Sequence, residues 1–117
     1  KVMADNRKLN EIILNLVSNA IKYNHESGWI KIYHEIQPQF IVTHIKDNGF
    51  GMSAEDQKHV FEKFFRAESG ATKTVQGTGL GLFITRELVE KMSGKIWFKS
   101  TEGQGTIFSF SLPTTSS

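Results

Sequence analysis

The chain contains no cysteine among its 117 residues. Disulfides and cysteine-based metal centres are therefore excluded, and the composition fits a reducing compartment. No apolar run approaches the roughly 18 residues of a membrane span, and no signal-peptide pattern opens the chain. Any membrane segment is expected outside this sequence. An excess of one charge is also missing: fourteen Lys and Arg against twelve Asp and Glu leave a net +2. The basic residues are scattered rather than run together, which argues against a nucleic-acid surface. Internal repeats are absent. Hydrophobic residues at 38% and charged residues at 22% are ordinary for a globular protein, and the length suits one core without staples.

What is present begins with periodicity. Leu9, Ile12, Ile13, Leu16, Val17 and Ala20 recur at helical spacing and predict a helix from an Asp5 N-cap to about Tyr23. At about 100° per residue, Asn15, Asn19 and Lys22 cluster within roughly 60° on the opposite side. A solvated face would explain a lone Asn pair, but Asn is a mediocre helix former. Its carboxamide oxygen can bind a magnesium ion that already carries a triphosphate, without adding charge that repels the phosphates.

Residues 29–36 read as a strand with Ile30, Ile32 and Ile36 on one face. A turn at 37–39 leads to a returning strand at 40–46. Ser53 caps a short helix with Glu55 and Asp56 in its first turn, where the dipole favours them. Residues 66–76 lack periodicity and predict a mobile lid or binding loop. A second long helix is expected over 80–92, with Leu80, Phe83, Ile84 and Leu88 inward. Strands at 95–100 and 106–112 form a second hairpin. The order predicts an α+β sandwich with helices on one sheet face.

Four further clusters could carry chemistry. By period two, Asp47 shares the expected covered face with Ile41, Thr43 and Ile45. A buried carboxylate needs a partner; an adenine amine would serve, and Gly49 and Gly51 would let backbone approach the ring. An ordinary Asn-Gly turn explains this motif about as well. Gly77-Thr78-Gly79-Leu80-Gly81 opens the second long helix, where free N–H groups and the dipole suit phosphate. Its spacing is neither the dinucleotide fingerprint nor a Walker loop. A plain hinge is the alternative, at a helix cost of about 1 kcal/mol per glycine. Phe61, Phe64 and Phe65 could anchor one end of the lid and leave Arg66 free to reach a terminal phosphate. Thr106 falls on the side of Phe108 and Phe110, where an inward hydroxyl suits a second contact beside adenine; Gly103 and Gly105 read equally as turn residues.

In order and spacing, residues 15–23, 47–51, 61–66, 77–82 and 103–108 resemble the N box, first glycine box, F box, second glycine box and final Gly-x-Gly-Thr of one family. That family is the catalytic ATP-binding domain of sensor histidine kinases, within a superfamily that includes gyrase-type, MutL-type and Hsp90-type ATPases. The resemblance spans about residues 5–113. It implies a Bergerat fold, an α/β sandwich with a mixed, mostly antiparallel sheet, helices on one face and a mobile ATP lid. Implied cofactors are ATP and Mg2+. The implied roles are Asn19 as magnesium ligand, with Asn15, Lys22 and Arg66 as phosphate contacts and the rest of the catalytic set. Tyr23 and Phe64 are implied beside the nucleotide, Asp47 as adenine selector with Gly49, Gly51 and Thr106, and Gly77, Thr78, Gly79, Leu80 and Gly81 as the flexible lid end.

The resemblance further implies transfer of the γ-phosphoryl group to a histidine on a separate dimerisation domain, with a response regulator downstream. The expected setting is the cytoplasm, whether or not the parent protein is membrane-anchored, with no nucleic-acid or membrane contact from this domain. Residues 1–113 are read as an N-terminally trimmed catalytic domain, because the family usually begins with a further helix and strand, and 114–117 as a disordered tail. Two local departures are Ser93-Gly94 for a common Gly-Gly and Phe83 for a commonly small residue. His34-Glu35 superficially matches the phosphoacceptor motif, but it alternates as a strand and its proline comes one residue early. His25, His44 and His59 are expected in loops or on the surface. A superfamily ATPase would carry Glu at the position of Asn15 to orient water, and a degenerate nucleotide sensor would have lost Asn19, Asp47 or the glycines.

Overall fold

Ile12, Leu16 and Ala20, spaced four apart, hold helix α1 (Asn6–Lys22) onto a sheet. In the computed structural model, which describes residues 6–63 and 81–114, each of the three is at most 3% exposed. Leu9, Ile13 and Val17 pack at the margin of the same core. The expected Asp5 cap lies outside the described residues. Two hairpins supply the sheet: β1 (Ile30–Ile36) with β2 (Phe40–Asp47), and β3 (Lys95–Thr101) with β4 (Gly105–Pro113). The strand order is β1-β2-β4-β3, and every pairing among the described residues is antiparallel.

Alternation then divides the two faces. The covered face stacks Ile45 beside Phe108 and Phe98, and Thr43 beside Phe110 and Ile96. α1 lies over β1 and β2, while α3 (Gly81–Lys91) lies over β3 and β4 and touches α1. Phe108 and Phe110 are 3% and 1% exposed, and burial of each side chain stabilises the fold by roughly 1.5–3 kcal/mol. Phe61 packs edge-on against Phe98 and Phe108, anchoring the chain where it leaves the short helix α2 (Ala54–Gln57). Ser53 caps α2 as expected, accepting from the Asp56 N–H at 3.1 Å.

Several expectations need correcting. In α3, Thr85 and Val89 are fully buried, whereas Ile84 is 37% exposed; Leu88 packs at the core margin and Phe83 turns to the Lys63 ammonium. The helix sits rotated from the expected stripe, and the rotation is tolerated because the Thr85 hydroxyl donates to the Gly81 carbonyl at 2.7 Å, so a nominally polar side chain is buried at little cost. His44 is in neither a loop nor an open surface. It sits in β2 against the Tyr33 ring, with Nδ1 2.6 Å from Ser109 Oγ. His34 does lie on a strand, with Nδ1 2.9 Å from Thr43 Oγ1. Pairing also continues past the expected domain end, where the Thr114 N–H donates to the Gln39 carbonyl.

Candidate functional site

At one end of the covered face, the last row of the sheet runs Ile30, Asp47, Thr106, Ser100 across all four strands. Asp47 is 8% exposed. Its Oδ1 accepts from the Gly49 N–H at 2.8 Å and the Thr106 N–H at 3.2 Å. No described residue bonds Oδ2. Desolvation by burial pushes this carboxyl above its ordinary pKa, and the two backbone N–H groups only partly offset that. A carboxylate held by one oxygen and left open at the other is a ready acceptor for an amine donor.

The loop after Asp47 is fixed by backbone packing. A Cβ on Gly49 would stand 2.2 Å from the Tyr23 carbonyl oxygen, and one on Gly51, at φ +69°, 2.1 Å from that of Thr101. The sequence pattern suggested that these glycines open space for a ligand; here they let three backbone segments meet. Those segments are the end of α1, the loop 48–52 and the β3–β4 turn. The Phe50 N–H donates to the Tyr23 carbonyl at 2.9 Å, and Gly103 N–H to the Phe50 carbonyl at 2.7 Å. Asn48 Oδ1 accepts from the Trp29 N–H at 2.7 Å and from Asn24 Nδ2 at 3.4 Å, tying β1 to the same junction.

The end of α1 reaches this junction through the Tyr23 carbonyl, which accepts from the Phe50 N–H. Asn15 and Asn19 are half-buried and Lys22 is exposed. Among the described residues no hydrogen bond engages either carboxamide or the Lys22 ammonium. The Asn19 carbonyl accepts from the Tyr23 N–H, so Asn19 stands one turn from the backbone that packs on Gly49. Gly81, the first residue of α3, is exposed, and a Cβ there would meet nothing within 4 Å among the described residues. Packing among the described residues therefore does not require glycine at this position. Thr106, 8% exposed, faces the core side as expected. Phe64, Arg66, the lid 66–76 and Gly77, Thr78, Gly79 and Leu80 lie outside the described residues.

Sequence reasoning missed Ser100, Asn24, Asn48 and Gln57. Gln57 Nε2 reaches the carbonyls of Met52 at 2.9 Å and Ser100 at 3.2 Å. An apolar cleft of about 300 Å³ lined by Leu9, Ile13, Ile36, Ile41 and Leu112 lies on the buried side of α1 and not on its Asn face.

Residues 4–116 match the model of the histidine kinase-, DNA gyrase B- and HSP90-like ATPase family. The chain is 36% identical to the sensor histidine kinase WalK of Bacillus subtilis over 114 residues, covering 96% of this chain and 19% of that protein. It is 35% identical to the sensor protein kinase WalK of Staphylococcus aureus, covering 93% and 27%. Among solved structures, a mycobacterial sensor histidine kinase, MprB, superposes with TM-score 0.84 at 30% identity, covering 96% of this chain and 76% of that one. The catalytic domain of the histidine kinase ThkA follows at TM-score 0.80 and 32% identity, covering 97% and 71%. The chain thus spans well under a third of the curated relatives it matches. The chain belongs to the histidine kinase-, DNA gyrase B- and HSP90-like ATPases as an ATP-binding catalytic domain of the sensor histidine kinase type.

Proposed function

We propose that this domain holds Mg-ATP between the Asn face of α1 and the Asp47 end of the sheet, and donates its γ-phosphoryl group to a histidine on a separate dimerisation domain. The observation that carries the reading is the Asp47 carboxylate, buried with Oδ1 saturated and Oδ2 without a described partner. An adenine amine supplies the missing donor; a guanine carbonyl would face it with a second acceptor, at a penalty of about 1–3 kcal/mol. Asn19 is the magnesium ligand, and Asn15, Lys22 and Arg66 contact the phosphates. Tyr23 and Phe64 flank the nucleotide, and the glycines 77, 79 and 81 with Thr78 and Leu80 form the flexible lid end. Magnesium, when bound, supplies neutralisation of the charge on the phosphates.

Transfer rather than hydrolysis is favoured by Asn15. Phosphoryl transfer needs positioning and charge stabilisation, which these side chains provide. Attack by water needs a base, and Asn15 cannot take a proton. Glu11, one turn earlier on α1, is the nearby carboxylate on the same side. The receiving histidine is not expected in this chain, since His34 is a strand residue bonded to Thr43. A response regulator then takes the phosphoryl group, in the cytoplasm where ATP is available. No helix among the described residues is long and apolar enough to cross a membrane.

Labelled ATP incubated with the chain alone, and with a cognate dimerisation domain added, tests this. Slow turnover alone and acid-labile phosphate on the added domain are expected, with Asn19→Ala abolishing transfer and Glu11→Gln affecting it little. Rapid hydrolysis without a partner, or phosphate appearing on His34, would overturn the reading.

A further inference from the structure

Ser100 and Thr106 are register partners on β3 and β4, and Asp47 stands beside Thr106 in the same row. The Thr106 N–H donates to Asp47 Oδ1, while its hydroxyl lies 2.8 Å from Ser100 Oγ. Ser100 Oγ also accepts from the Met52 N–H at 2.8 Å and lies 3.2 Å from the Gly105 carbonyl oxygen. Each hydroxyl has one proton and two lone pairs, so the pair has two arrangements. In one, Ser100 donates to the Gly105 carbonyl and Thr106 donates to Ser100, and Thr106 then offers the pocket only lone pairs. In the other, Ser100 donates to Thr106 Oγ1, and the Thr106 proton is released toward the pocket.

We propose that Ser100 is a positioning residue for nucleobase recognition, setting whether Thr106 presents a donor or an acceptor by moving its own proton between Gly105 and Thr106. The inference rests on the reading of Asp47 and Thr106 as the adenine edge of the site. Adenine places an amine donor next to a ring-nitrogen acceptor. Asp47 Oδ2 takes the amine, and the second arrangement gives the ring nitrogen its donor, directly or through one water. No other partner of the Thr106 hydroxyl is found among the described residues, so without Ser100 its proton has nothing to fix it. The same serine receives the Met52 N–H, and Gln57 clamps the carbonyls of Met52 and Ser100. The loop that follows Asp47 and the hydroxyl pair are thereby fixed together.

Calorimetric titration with Mg-ATP of the wild-type chain, Ser100→Ala, Thr106→Val and the double variant tests the inference, with thermal unfolding run on each. Ser100→Ala is expected to weaken ATP about three- to tenfold, the worth of one neutral hydrogen bond. In the Thr106→Val background the same change is expected to cost much less than in wild type, because Ser100 acts chiefly through that hydroxyl and only the Met52 N–H contact is left to lose. Ser100→Cys fills the site with a somewhat larger group that is only a weak donor and acceptor and is expected to weaken ATP in the same way; it carries the test if the alanine variant unfolds. Full affinity in the folded Ser100 variants, or losses that add to that of Thr106→Val, would overturn the proposal while leaving the adenine edge standing. Full affinity in Thr106→Val would remove the adenine-edge reading of that residue and the inference with it.

Discussion

Asp47 shows how one side chain can combine a fold cost with the binding role proposed for it. Its charge is buried, and the two N–H groups on Oδ1 compensate only in part, so its pKa is raised by desolvation. A carboxyl with a higher pKa folded than unfolded binds more protons in the native state. Nucleotide-free stability is therefore lost as pH rises from the unfolded toward the folded pKa. Asp47→Asn keeps an oxygen for Gly49 and Thr106 and removes the buried charge. The nucleotide-free variant is expected to be at least as stable as wild type at neutral pH by denaturant unfolding, with the difference vanishing below the usual carboxylate pKa. In the site, its NH2 would face the adenine amine, donor to donor. ATP affinity is expected to fall by about tenfold or more while the preference over GTP shrinks or reverses. A variant less stable at pH 7 yet unchanged in ATP binding would contradict both halves.

At the scale of elements, the end of α3 carries a correctable strain. Ser93 takes φ +63°, a left-handed conformation that costs a side-chain-bearing residue roughly 1–2 kcal/mol, and the Gly94 N–H closes the helix onto the Val89 carbonyl at 2.9 Å. Ser93→Gly is expected to stabilise the domain by about 0.5–1 kcal/mol, after the extra unfolded-state entropy of glycine is deducted, measured by urea unfolding. Gly94→Ala is expected to destabilise strongly, since its Cβ would stand 2.1 Å from the Ser111 carbonyl oxygen. The Ser-Gly pair was legible as a helix end, but which of the two residues takes the left-handed turn was not. α1 was legible because Leu9, Ile12, Leu16 and Ala20 satisfy one period. α3 was misread by a residue because Thr85 reads as polar until its hydroxyl is seen to bond its own helix. The inward Asp47 and Thr106 followed from alternation alone. Ser100, Asn48 and Gln57 did not, since their contacts depend on strand register and on which turn crosses which, which no local pattern encodes.

For the whole molecule, the two ends of the site belong to different parts of the fold, and their contributions are separable by linkage. Any ligand bound only by the folded state adds stability as RT ln(1 + [L]/Kd), about 2.7 kcal/mol at a hundredfold excess over Kd. For a chain of this size that corresponds to a rise in Tm on the order of 10 °C. Mg-ATP is expected to give such a shift, and GTP a smaller one, because the proposed base selector, Asp47, lies on β2. Chelating the magnesium with EDTA is expected to reduce the ATP shift without removing it, because the adenine contacts remain. Asn19 sits on α1, so Asn19→Ala is expected to lower the shift in magnesium to the level that wild type shows in EDTA, and to leave the EDTA value unchanged. Asp47→Asn is expected to do the opposite, reducing the shift with and without magnesium alike. Neither substitution strands a described hydrogen-bond donor: the Asn19 side chain has no described partner, and the carboxamide oxygen that Asp47→Asn introduces still accepts from the Gly49 and Thr106 N–H groups. A Mg-ATP shift indifferent to EDTA, or one that Asn19→Ala lowers equally in its absence, would remove Asn19 from the metal and place its carboxamide on the phosphates instead.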